Sequence, residues 1–382
     1  MPDILSNTIL YVGYVGEVGT AMSIHSRNIS KIFQDLGYDI YYLCQYVDEE
    51  KRYENDRYFY TNQYLKIKKF KSVEWMIEEF LALKIYSSLK KKIEEIHPKI
   101  IIFYGYSGEK KIIKYCNKKG IKVFVDRTDW FESSDRKGIF GNLYTKFVTD
   151  KCIKNYDFNA SGVISISKYF EDYYLKNNQN TLWIPPVFDI EVIDEFNKDP
   201  ECINIVYAGS LGGGKDTIDN VIKYFLINEN KEFNLNLLGI DENQLNNRFG
   251  FNDWEKYNIN AFGRVSNEDV IKIVSKSDFS LLLRQNKRYA KAGFSTKFAE
   301  SMSLGVPMIC TKVGGADSLI ENNKNGILIN DNNFETITEV MNNIKKLSNQ
   351  EILQMKKGAF LTAKKYFDYH NYLLKMNEFI NR

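Results

Sequence analysis

A chain of 382 residues is longer than one hydrophobic core normally serves, and an apolar content of 44% is enough to fill two domains of ordinary size. The 52 Lys+Arg against 49 Asp+Glu leave a net charge of only +3, which excludes a protein whose main task is to coat nucleic acid. Cys44, Cys116, Cys152, Cys202 and Cys310 are odd in number, scattered and without metal-ligand spacing, so neither a disulfide framework nor a cysteine metal centre is expected. MPDILSNTILYVGYVG lacks a basic start and no apolar run approaches the ~20 residues of a membrane span, so the expected location is the cytoplasm.

Short β-branched runs alternate with helical periods along the whole chain, the pattern of parallel sheets covered by helices on both faces. Thr8–Val12 leads through Gly13, Gly16 and Gly19 into a helix ending at Leu36, then Gly37 and the strand YDIYYL. A long helix is expected from about Val73 to Ile96, followed by a strand at Lys99–Gly105, a helix at Lys110–Lys119, and strands at Ile121–Asp126 and Gly162–Ser167. Pro185 and Pro186 in TLWIPPVFD block regular structure and suit a passage between domains. Beyond it INIVYAGS, FNLNLLGI, YNINAFG, FSLLLR, VPMICT and NGILIN supply six strands.

Four motifs carry possible chemistry. The long helix, flanked by KIKKFK and carrying Lys90, Lys91 and Lys92, could lie on anionic lipid, although Glu74, Glu78, Glu79, Glu94 and Glu95 dilute its charge and sheet-covering is the plainer role. VDRTDWFES follows a strand at its C-terminal end, where open α/β sheets place ligands. Asp129 is therefore a candidate for contact with a reacting group, the alternative being that Asp126 caps a turn and Asp129 the next helix. GSLGGGKD at Gly209–Asp216 has the spacing of a phosphate-binding P-loop, but Asp216 stands where a magnesium-binding hydroxyl is needed, and a glycine-rich turn with a solvent-exposed lysine is the competing reading. Finally, Ser295 and Thr296 can cap a helix running to Leu304, closed by Gly305 and Pro307. Arg284, Lys287, Arg288, Lys291 and Lys297 crowd its N-terminus, which suits an anion, and Glu300 lies one turn beyond Lys297, which suits hydroxyls.

AGFSTKFAE with Gly305 and Pro307 resembles the donor side of the retaining glycosyltransferases of the GT-B fold, a likeness that extends over most of the chain. That family carries an E-x7-E element followed by Gly-x-Pro. Glu300, Gly305 and Pro307 match its second half, and Ala292 stands where the first glutamate would be. A branch active in surface-polysaccharide synthesis reads Ser-Pro-Thr-Lys-x-x-Glu instead, and this chain is similar to that version. The resemblance implies an α/β fold with two doubly wound Rossmann-like domains facing a cleft. Residues 1–187 would form the acceptor side, 188–365 would bind the nucleotide sugar, and a C-terminal helix of about 366–382 would pack back on the first domain.

The same resemblance implies transfer of a sugar, with retention, from a nucleotide-diphosphate sugar, expected to be UDP-linked, to a saccharide or lipid-linked saccharide, with no further cofactor. Lys215 and Arg284 would clamp the diphosphate, Ser210 occupying the family's usual arginine position. Gly16, Gly19, Arg264, Ser295, Thr296 and Lys297 would complete the donor contacts, Glu300 would hold ribose hydroxyls, and Asp129 would face sugar or acceptor. With no D-x-D element and His25, His97 and His370 far apart, no metal is expected. His25 matches a histidine often seen in the family ahead of the G-H-E-V strand, but a lone helical histidine is more often a surface or packing residue. A GT-B-fold sugar-nucleotide epimerase and a non-catalytic sugar-nucleotide-binding partner subunit are the alternatives.

Overall fold

The structure is a computed structural model that describes residues 7–45, 47–61, 78, 80–135, 138–199, 201–211, 216–228 and 232–382. It divides into a unit of Met1–Val187 with Tyr369–Arg382 and a unit of Phe188–Asp368. In the first, chain order gives β1 (Thr8–Gly13), α1 (Ala21–Asp35), β2 (Asp39–Cys44), β3 (Tyr58–Tyr60), α2 (Leu83–Ile96), β4 (Ile100–Tyr104), α3 (Glu109–Lys118), β5 (Lys122–Arg127), α4 (Gly138–Tyr144), β6 (Gly162–Ser165), α5 (Lys168–Lys176) and β7 (Thr181–Trp183). The strands form one parallel seven-stranded sheet in the order β3-β2-β1-β4-β5-β6-β7. β1 and β4 are buried along their whole length, which is why TILYVG and IIIFY read as continuous apolar runs and not as alternations.

The second unit has β8 (Ile203–Ala208), α6 (Asp219–Asn228), β9 (Phe233–Leu238), α7 (Glu242–Phe249), β10 (Ile259–Gly263), α8 (Asn267–Ser275), β11 (Phe279–Leu282), α9 (Arg288–Ala292), α10 (Thr296–Ser303), β12 (Met308–Thr311), α11 (Ala316–Leu319), β13 (Gly326–Ile329), α12 (Phe334–Ile344) and α13 (Asn349–Tyr366). Its parallel sheet has six strands in the order β10-β9-β8-β11-β12-β13. Both sheets are doubly wound. The order reverses between β1 and β4 and again between β8 and β11, and such reversal points open a crevice beyond the strand C-termini.

Three expectations need correction. The long helix is interrupted: Ala82 adopts a left-handed conformation (φ 50°), and α2 starts at Leu83. The buried carboxylate of Glu78 accepts from the backbone N–H groups of Leu83 (3.1 Å), Lys84 (2.7 Å) and Ile85 (3.0 Å), satisfying the orphan donors of the new first turn. KIKKFK at 66–71 lies outside the described residues. Thr181–Trp183, read as part of an irregular passage, pairs with β6 as the edge strand β7, because the two prolines begin only after it. The helix expected at about 366–382 starts later: after α13 ends at Tyr366, a turn of 3-10 helix at Tyr369–Tyr372 leads into α14 (Leu373–Asn381). α14 places Met376, Phe379 and Ile380 in the core of the first unit.

Candidate active site

The reversal point of the second unit is where its sequence motifs converge. The loop after β8 delivers Asp216 and the end of β11 delivers Arg284, and the two residues form an isolated antiparallel bridge. Arg284 Nε donates to Asp216 Oδ1 at 2.6 Å, and Lys297 Nζ, from the first turn of α10, donates to Oδ2 at 3.0 Å. The Tyr207 hydroxyl donates to the same Oδ2 at 3.3 Å. Thr311, at the end of β12, fixes the arginine backbone: its Oγ1 accepts from Arg284 N at 2.9 Å and donates to Arg284 O at 2.9 Å. Burial alone would raise the Asp216 pKa, but Arg284 and then Lys297 outweigh it and hold the carboxyl below its usual range. Asp216 therefore stays ionised, and the three side chains together carry one net positive charge. The carboxylate that argued against a P-loop is here the hub that gathers two cations.

Gly209 opens this loop where a Cβ would come within 2.5 Å of both Lys297 Nζ and the Tyr207 hydroxyl, so the position has no room for a side chain. A cavity of about 190 Å³ beside Tyr207, Ser210, Asp216 and Arg248 adjoins the cluster. A larger one of about 790 Å³ is lined by Phe196, Asn204, Asn236, Phe262 and Lys356. Neither is lined by Arg284, Lys297 or Glu300, but the smaller one is lined by Asp216, the partner of both cations.

α10 begins at Thr296 with Ser295 as its N-cap, yet the Ser295 side chain makes no cap hydrogen bond; its Oγ is buried and unpartnered. That hydroxyl has no hydrogen-bond partner among the described residues and does not cap the helix, contrary to expectation. Glu300, one turn beyond Lys297, is half-buried, and no described side chain hydrogen-bonds to it. Burial raises its pKa and the Lys297 charge pulls it back only partly. Ala292, at the family's first-glutamate position, is fully buried. Lys215 lies outside the described residues. Ser210 and Arg264 are exposed, and Arg264 follows the edge strand β10, two strands from β8, so it does not join the cluster. Lys287, Arg288 and Lys291 belong to the start and body of α9, not to the Asp216 hub.

In the first unit Gly13 ends β1 with φ 130°, and a Cβ there would lie 1.7 Å from the Tyr104 carbonyl oxygen across the reversal point. Gly16 is close-packed against protein, a Cβ meeting Cys44 Sγ at 2.4 Å, so its lack of a side chain serves the fold. Gly19 (φ 76°) has open space around it and completes the turn into α1. Asp129 is half-buried in the loop after β5; the Tyr106 hydroxyl donates to its backbone carbonyl. The next helical turn starts only at Ser133, so Asp129 is not a helix cap. Asp129→Asn is expected to lower kcat much more than it raises donor KM; turnover within about twofold of wild type at saturation would remove Asp129 from the site.

Two buried clusters beneath this loop were not read from the sequence. The Asp126 carboxylate accepts from the Tyr11 hydroxyl and pairs with His25 Nε2 at 3.0 Å, so Asp126 is turned into the protein and away from any acceptor. His25 is 4% exposed, and its Nδ1 has no partner. Arg127, wholly buried, reaches Gly105 O at 2.6 Å, Asp157 and Glu109, while the Tyr174 hydroxyl donates to Asp157. Adjacent charges in the strand KVFVDR were the available signal, since a charged residue late in an otherwise apolar strand must find a partner.

Residues 189–359 match the family model described as glycosyl transferases group 1. Two uncharacterized glycosyltransferases of Methanocaldococcus jannaschii are similar: one is 22% identical, covering 94% of this chain and 95% of the relative, and the other 24% identical, covering 87% of each. Among solved structures, sucrose-phosphate synthase from Thermosynechococcus elongatus superposes with a TM-score of 0.72 at 13% identity, covering 97% of both chains. Anabaena HepE in complex with UDP-glucose gives 0.65 at 15% identity, covering 98% of this chain and 99% of that one.

Proposed function

We propose that this chain, a GT-B protein whose residues 189–359 belong to the group 1 glycosyl transferases, moves a sugar from a UDP-sugar to a saccharide or lipid-linked saccharide of a surface polysaccharide, with retention and without a metal. The observation that carries the reading is the Asp216 hub: two cations held at a sheet reversal point, beside a helix N-terminus with an unpartnered hydroxyl and a half-buried carboxylate one turn on. Arg284 and Lys297 suit the diphosphate, and Lys215, adjacent to Asp216 in sequence, would add a third positive charge. As the leaving group takes on charge, prepositioned cations stabilise it without reorganisation. The leaving phosphate can itself accept the acceptor proton, so no side-chain base is needed at that step. Retention, the base and the acceptor class follow from the resemblance to the polysaccharide branch.

Glu300 is assigned to ribose hydroxyls. Glu300→Gln is expected to raise donor Kd about tenfold or more, a charged hydrogen bond being worth ~1.5–3 kcal/mol. Because burial raises its pKa, wild-type affinity should weaken as pH falls at values above the ~4.3 of an ordinary glutamate, and the Gln variant should lose that dependence. Calorimetry with a panel of nucleotide sugars measures both; unchanged affinity in a folded variant refutes the assignment. Release of free nucleotide only when acceptor is present separates a transferase from a silent binder, and product identity separates it from an epimerase.

A further inference from the structure

Exposed apolar side chains gather on one part of the first unit. Of the seventeen large hydrophobics that stand out into solvent among the described residues, seven lie at 80–83 and 139–147, from Leu143 at 38% exposure to Ile139 at 74%. Phe80, Leu81 and Leu83 flank the break before α2; Ile139, Phe140 and Leu143 lie on α4, and Phe147 on the π-helical turn Thr145–Thr149 that continues it. The two groups touch. The Phe80 ring stands edge-on to Tyr144 at 6.1 Å, and Tyr144 hydrogen-bonds Ser107 at 3.3 Å, just before α3. Lys111 of α3 in turn donates to Leu81 O at 3.0 Å.

Two lysines stand beside one edge of this apolar tip, and others line the neighbouring α3. Lys146 and Lys151 stand 5.6 and 5.3 Å from the Phe147 ring centre, and Lys110 stands over Tyr156 at 5.3 Å. From 138 to 149 the sequence GIFGNLYTKFVT contains no acid. The nearest carboxylate there, Asp150, is occupied by Lys154 and by Trp130 Nε1, each at 2.9 Å. Lys110, Lys114 and Lys118, spaced four apart on α3, line an open groove of about 580 Å³. α2, for which lipid contact was the lesser of the two readings, is less suited, since Glu95 pairs with its own Lys92 and Glu94 with Lys119 after α3.

We infer that this tip is a docking surface for a membrane bearing anionic lipid headgroups, the apolar side chains entering the interface while the lysines meet phosphate groups. Among the described residues no helix is long and apolar enough to cross a membrane, so the attachment is peripheral. A second copy of the chain is the competing occupant, and Lys146 and Lys151 disfavour it, because two such faces repel. The inference does not depend on the sugar-transfer reading: vesicle binding and nucleotide-sugar binding are measured separately.

Flotation with vesicles of phosphatidylcholine alone and of phosphatidylcholine with phosphatidylglycerol tests it on the whole chain. The protein should float with the anionic vesicles about tenfold more than with neutral ones, and about 1 M salt should release much of it. Ile139→Ser with Phe140→Ser should cut the bound fraction about tenfold, and Lys146→Glu with Lys151→Glu should abolish the preference for anionic lipid, both with wild-type melting temperatures. Wild-type protein that stays below both vesicle bands overturns the inference, as do variants that float like wild type. A concentration-dependent dimer that Ile139→Ser with Phe140→Ser dissolves, without vesicle binding, assigns the face to a second copy and overturns it equally.

Discussion

Arg127→Leu is expected to destabilise the first unit by about 3–5 kcal/mol, the usual cost of stripping one partner from a buried ionic cluster. The guanidinium is wholly buried and is shared by Asp157 and Glu109; without it two carboxyl groups would face each other in a site that water does not reach. Burial pushes the Glu109 carboxyl well above its usual range, Arg127 opposes this, and Asp157 adds to it. Asp157 and Glu109 thus share one guanidinium, and their mutual repulsion is what Arg127 relieves. Glu109→Gln, by contrast, should stay within about 1 kcal/mol of wild type, since an amide can still accept from Arg127. The sign with pH follows. A carboxyl whose folded pKa is raised contributes fully below its unfolded value, and that contribution is lost as pH rises through the folded value. The Gln variant should lose this decline with rising pH. Urea denaturation followed by tryptophan fluorescence reads all three, and an Arg127→Leu protein as stable as wild type would show that the cluster does not hold the loop.

Arg284→Ala is expected to cut turnover about 10²- to 10³-fold with the fold retained, the scale of losing one preorganised charge at the leaving group. Lys215→Ala with Arg284→Ala should go further, and EDTA should leave the wild-type rate unchanged. Full activity in the double variant, or turnover that requires a metal, sinks the clamp. A second readout is independent of activity. Asp216, with its lowered folded pKa, contributes stability that is present above its unfolded value of about 3.9 and lost as pH falls through the folded one. Removing Arg284 should move that acid loss to higher pH.

The fold was legible because buried parallel strands announce themselves as apolar runs, and all six of the second unit were expected where they lie. The strands that escaped, β3 and β7, have three residues each and sit at the edges, where little burial imprints a pattern. Arg284, Lys297 and Glu300 were readable because a helix start, its cations and a Gly-x-Pro turn are contiguous. Asp216 was noticed but assigned only repulsion, since spacing cannot show that a cation 68 positions later comes to 2.6 Å. His25 and Asp126 are separated by 101 positions and Arg127 and Asp157 by 30, so their pairing exists only once the sheet has formed.

The backbone of Phe188 meets Phe367 at 2.7 Å, and Phe188 bridges to Asp368, so the chain enters and leaves the second unit at one place. The second unit is thus a continuous module spliced into the first. During synthesis it can complete its own sheet while the earlier unit still lacks Tyr372, Met376, Phe379 and Ile380, which seal the core over Phe124 and Ile164. The unit made first is the unit finished last. Until residue 380 is available its apolar surface stays open, and a ribosome stalled within the module would display a half-closed sheet with the Arg127 cluster already committed to burial.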